Sequence, residues 1–143
     1  MKNKAPLPLM EQLIMILVFA LTAALCLQSF SLADRMSRRN ESREKAVVMA
    51  QNTAETLKAC SGDFETAYSI LGGFRDGNAW LIPYDESGRL LATSENAVFL
   101  VSAIPTTSGH DLLGTARIQV LYEEETIFEI TIAWQEVNTD AVP

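Results

Sequence analysis

One carboxylate stands where a carboxylate is expensive. Glu11 opens a run, residues 12–33, that carries no charged side chain. An acid at the centre of a bilayer core costs on the order of 2–3 kcal/mol, and less toward the end of a span. Three explanations fit its position: snorkelling to the interface, attraction to the positive end of the helix dipole, or pairing with a cation on another subunit. The remaining residues with chemical potential are few. His110, the single histidine, lies in the polar stretch 105–111 and reads as a solvated loop residue. Glu123-Glu124-Glu125 offers the hard oxygens a calcium ion takes, but three adjacent acids between two alternating runs read as a solvated turn. Gly72-Gly73 reads as a helix stop rather than a ligand loop.

No clustered His, Cys or carboxylate set at metal-ligand spacing is visible, nor a nucleophile elbow, a glycine-rich phosphate loop or a Cys–His pairing. The expectation is a chain with no catalytic residue, no cofactor, no metal and no small-molecule substrate. Cys26 and Cys60 are 34 positions apart. On one helix they are separated by about 51 Å, so no disulfide is expected. Ala23-Ala24-Leu25-Cys26 places a bulky leucine before the cysteine, unlike a lipoprotein signal.

The elements that carry these residues follow from periodicity. The uncharged run of 22 residues spans about 33 Å as a helix, one bilayer core. Helical composition continues beyond it: residues 34–59 contain neither Gly nor Pro and are rich in helix formers. There Val47, Ala50, Ala54 and Leu57 recur at three and four to form an apolar stripe. One helix of about 50 residues is predicted, ending at Ser61-Gly62 with Gly62 as the capping residue. A short second helix follows over residues 63–71, with Phe64, Ala67, Tyr68 and Leu71 on one side.

Beyond Gly73 the period changes to two. Residues 79–84 read as a strand that Pro83 confines to an edge or a bulge. Residues 85–88 form a turn and 89–93 a returning strand. Residues 97–104 read as a central strand. The clearest signal is a hairpin in which Ala116, Ile118, Val120 and Tyr122, then Phe128, Ile130, Ile132 and Trp134, alternate with polar residues. Strict alternation predicts an antiparallel sheet with one buried face, and the amphipathic part of the long helix is its expected cover.

Charge is segregated. The whole chain carries −7, but residues 61–143 hold 13 acidic and 3 basic side chains. Such a domain repels phosphate backbones, so nucleic acid is not an expected partner. The stretch just after the uncharged run is basic, with Arg35, Arg38, Arg39, Arg43 and Lys45, and suits anionic headgroups. Taken alone, the positive-inside rule applied to this excess favours a cytoplasmic C-terminal domain, the opposite of what the resemblance below implies. A secretory signal cleaved after Ser31-Leu32-Ala33 is the competing reading of the N-terminus. Glu11 at the entrance and the length of the run favour a retained anchor.

Four features together resemble the type IV pilins and the pseudopilins of type II secretion: the basic leader Met1-Lys2-Asn3-Lys4, Glu11 at the head of the apolar run, a long helix that is half apolar and half amphipathic, and a C-terminal antiparallel sheet over residues 79–136. The resemblance implies a structural subunit in the cell membrane, single-pass, with its C-terminal domain extracytoplasmic. It implies assembly through the hydrophobic helix with other pilin-like subunits, Glu11 neutralising a neighbour's amino terminus. In that family the glutamate is the fifth residue after the leader cut. Here that count puts Pro6 before the cut, which implies an uncleaved or divergent minor member. A second resemblance, of residues 80–93 to the strand–turn–strand of PAS-like sensors, implies instead an extracytoplasmic sensor or ligand-binding module on one anchor.

The expected organisation is α+β. It comprises a basic segment 1–8, a transmembrane helix 9–33, its amphipathic continuation 34–60, an acidic α+β domain 61–136 with an antiparallel sheet, and a frayed tail 137–143.

Overall fold

The structure, a computed structural model, describes residues 6–109 and 112–136. His110 lies outside the described residues, as do Lys2, Lys4 and the tail 137–143. The architecture is α+β: a long N-terminal helix and a five-stranded antiparallel sheet on which its C-terminal part packs. Helix α1 runs unbroken over Pro6–Ala59, 54 residues. The chain divides into two units at Asn40/Glu41, inside α1.

The first unit is the helix alone, with every residue of 6–40 exposed. The second contains the rest of α1, then α2 (Phe64–Leu71) and strands β1 (Phe74–Asp76), β2 (Ala79–Tyr84), β3 (Phe99–Thr106), β4 (Leu113–Tyr122) and β5 (Glu125–Gln135). The strands pair in chain order, β1-β2-β3-β4-β5, every pair antiparallel.

The core lies between one face of the sheet and one stripe of α1. The helix buries Ala46, Met49, Ala50, Thr53, Ala54 and Leu57, a three–four repeat. Facing them are Trp80, Ile82 and Tyr84 of β2, Phe99, Val101 and Ala103 of β3, Ala116, Ile118 and Val120 of β4, and Ile132 of β5. The stripe is rotated from the predicted one: Val47 is only half-buried, while Ala46, Met49 and Thr53 face the sheet. Thr53 was hidden from hydropathy because it is polar. Its hydroxyl donates to the Met49 carbonyl at 2.9 Å, which satisfies it inside the helix.

The hairpin register is as the alternation requires. Ala116 lies opposite Ile132, Ile118 opposite Ile130 and Val120 opposite Phe128. A register shift follows at Val120/Leu121. Two strand predictions need correction. Residues 89–93 form no strand; only Leu90 bridges Tyr84, and the Leu91 amide donates to the Pro83 carbonyl at 2.9 Å. The central strand extends past Ile104 through Pro105 and Thr106, which pair with Ala116 and Thr115.

Pro83 occupies an interior strand rather than an edge. β1 reaches only as far as Leu81, so the side of β2 where Pro83 lacks a donor is open to the 89–91 segment instead of a strand.

The end of α1 also differs in detail from expectation. The Gly62 amide bonds the Leu57 carbonyl and the Ser61 amide the Lys58 carbonyl, the two bonds of a Schellman closure. The left-handed closing residue is therefore Ser61, at φ +51°, with Gly62 next in line at φ +81°. Gly62 is needed for a further reason. A Cβ there would enter the Trp134 indole, and so would a Cβ on Gly114, the residue opposite Trp134 in the sheet. The indole thus lies against the backbone at both the helix exit and strand β4.

Candidate functional site

The first unit holds the candidate site. Within α1 the uncharged run exposes all its large apolar side chains, Phe19 and Phe30 being 76% and 77% accessible. An apolar surface of this extent on a soluble chain marks a contact with lipid or protein. The helix is a candidate membrane anchor by length and composition, a test that signal sequences also pass.

Two features of the backbone suit it to an apolar medium. Every residue from Pro6 to Ala59 is helical, so peptide groups are satisfied within the segment. The hydroxyls are tied off as well: Thr22 donates to the Val18 carbonyl at 2.7 Å, and Ser29 to the Leu25 carbonyl at 2.9 Å.

Glu11 sits in the second turn of α1, exposed, one residue before the uncharged run. At 3.6 residues per turn, Glu11, Val18, Thr22 and Ser29 share one face of the helix. Glu11 stands out by its charge alone, whereas its alignment with Thr22 and Ser29 emerges only once the helix is in place. The signal was there, in spacings of 11 and 7 residues. Just past the run, Asp34 and Arg38 form an i,i+4 ion pair at 3.1 Å.

Among the described residues no group of three or more His, Cys, Asp or Glu is placed to hold a metal ion. Glu123 and Glu124 are the two central residues of the β4–β5 turn, both exposed, and Glu125 opens β5. Gly72 caps α2 with its amide on the Tyr68 carbonyl at 2.8 Å, and the Trp80 indole donates to the Gly72 carbonyl at 2.8 Å. Gly73, at φ +98°, has the Leu81 carbonyl where a Cβ would stand. Gly72-Gly73 is therefore a close backbone passage between α2 and β2. Cys26 is exposed and Cys60 half-buried, both as free thiols.

The polar groups of the second unit hold turns in place. Asp63 caps α2, accepting from the Glu65 amide at 3.0 Å and from the Thr66 hydroxyl. The Thr66 bond foremost, then the Glu65 amide, holds its carboxyl below the usual range. Asp85 accepts from the Ser87 hydroxyl at 2.6 Å and the Arg89 amide at 2.9 Å, which lower it likewise, Ser87 most. Lys45 reaches from α1 to the Glu86 carbonyl at 3.2 Å while pairing with Glu41 at 2.9 Å. That Glu41 bond raises its pKa. On the outer face of the sheet a shallow groove of about 400 Å³ runs past Thr106, Thr115, Arg117 and Thr131. Arg117 is 3.6 Å from Glu129, which also accepts from Gln119 at 2.6 Å.

No family model matches the sequence, and no curated protein or solved structure matches it.

Proposed function

We propose that this protein is a single-pass membrane-anchored structural subunit, pilin-like in plan, that assembles through its N-terminal apolar helix and displays the acidic α+β domain outside the cytoplasm. One observation carries the reading. The 54-residue helix passes without a break from a fully exposed apolar half bearing Glu11 to a half whose single buried stripe packs on the sheet. A helix that served only to anchor has no need of this continuity. A continuous helix lets neighbouring subunits pack through their apolar segments while each carries its own domain.

Within the helix, Glu11 is the assembly residue. Its carboxylate is exposed in the monomer and lies on the face that also carries Thr22 and Ser29. In an apolar bundle that face satisfies the charge by meeting a cation on a neighbour. The role is structural rather than catalytic.

The test uses the native thiol in the span. Membranes containing the tagged full-length chain in a Cys60→Ser background are treated with a membrane-permeant bifunctional maleimide, which leaves Cys26 as the reacting thiol. Discrete adducts are expected for the wild type. Glu11→Ala should remain in the carbonate-resistant membrane fraction and lose those adducts. Absence of adducts from the wild type, or an unchanged pattern in Glu11→Ala, defeats the reading.

A further inference from the structure

The charged residues just past the apolar run are divided by pairing. Asp34 is taken up by Arg38, one turn along the helix. Arg35 and Arg39, also one turn apart, are exposed and have no ion pair or hydrogen bond among the described residues. Their Cα atoms are about 6 Å apart along the axis. Arg35 follows the last residue of the uncharged run by two positions. Among residues 6–40 the only basic side chains are Arg35, Arg38 and Arg39, all within this short collar.

Uncompensated guanidinium groups at that depth stand where phosphate oxygens begin if the run occupies the hydrocarbon core. A guanidinium binds phosphate through paired donors, unlike the point charge of an ammonium. From these residues we infer that Arg35 and Arg39 form a headgroup clamp that selects anionic phospholipids around the anchor. The inference rests on the membrane reading above and adds a partner to it.

Each arginine near an anionic surface contributes about five-fold in affinity at low salt. The preference falls as the screening length drops from about 10 Å at 0.1 M to 3 Å at 1 M.

The experiment takes the full-length chain in mild detergent and offers it equal amounts of phosphatidylglycerol and phosphatidylcholine with identical acyl chains. Retained lipids are counted by native mass spectrometry. Phosphatidylglycerol adducts should dominate several-fold. The double variant Arg35→Gln/Arg39→Gln should lose the preference, and Arg35→Lys/Arg39→Lys, which keeps the charges but not the paired donors, should keep only the smaller, salt-screened part of it. Lys58→Gln, a cation at the far end of α1, should leave it intact.

Glutamine has a helix propensity near that of arginine, so the helix persists in these variants, and circular dichroism verifies it. Equal retention of the two lipids by the wild type overturns the clamp, as does an equal loss in Lys58→Gln. Carbonate extraction of the same membranes separates the two claims. Release of the wild-type chain defeats the anchor and the clamp together, whereas retention without lipid preference defeats the clamp alone.

Discussion

The β4–β5 turn stores strain that substitution should release. Tyr122 pairs with Glu125, so Glu123 and Glu124 are the two central residues of the connection, with φ of +48° and +71°. Positive φ at both positions defines a type I′ turn, the geometry that matches strand twist and that Asn-Gly satisfies best. Glutamate is poorly suited to it: a Cβ-bearing residue in the left-handed region costs about 1 kcal/mol or more.

Glu123→Asn/Glu124→Gly should therefore stabilise the second unit by about 1–2 kcal/mol, since asparagine tolerates this region and glycine pays no steric cost there. That corresponds to roughly half to one molar in the urea midpoint. Trp80 and Trp134 are the only tryptophans and both lie in this unit, so their fluorescence reports its unfolding in the full-length chain in detergent.

A second variant separates conformation from charge. Glu123→Gln/Glu124→Gln removes the two charges but keeps the Cβ atoms, and should change stability by less than about 0.5 kcal/mol, as surface changes do. No gain in the Asn-Gly variant, or an equal gain in the Gln-Gln variant, rules out backbone strain as the cause.

Other expectations concern the same unit. Gly114→Ala should destabilise by about 1–3 kcal/mol through overlap with the Trp134 indole; most of that cost should vanish in a Trp134→Ala background, as a double-mutant cycle by urea denaturation would reveal. Ser61→Gly should stabilise the helix exit by about 0.5–1 kcal/mol, because the closing residue sits at φ +51°, and the same fluorescence assay reads it. Asp63 and Asp85 both have folded pKa values below the ordinary 3.8, so each contributes stability that is complete above that value and lost as pH falls through the lower folded value. The urea midpoint should accordingly drop below about pH 4, and Asp63→Ala/Asp85→Ala should flatten that acid slope.

Much of this molecule was legible in the sequence, because the two decisive signals are local. An uncharged run of 22 residues and a strict two-residue alternation each specify an element without reference to the rest of the chain. They determined the long helix, the antiparallel hairpin and the face of β4 and β5 that turns inward. The same locality singled out Glu11, since a charge at the edge of an apolar run needs no tertiary contact to be noticed.

What only the tertiary structure decided is how elements meet. Thr53 faces the sheet because its hydroxyl is satisfied one turn back, which hydropathy cannot express. The segment 89–93 alternates weakly, but without a partner strand beyond Leu90 it has no ladder to join. By sequence Pro83 marks an edge or a bulge, yet it lies in an interior strand, because β1 is too short to demand its missing donor. Ser61 and Gly62 both stand at positive φ in the closure of the helix, and Trp134, 72 residues downstream, lies where a Cβ on Gly62 would be. Some of the deciding contacts are close in sequence and one lies 72 residues away, but each depends on how elements pair or pack, which a pattern of hydropathy read one window at a time does not contain.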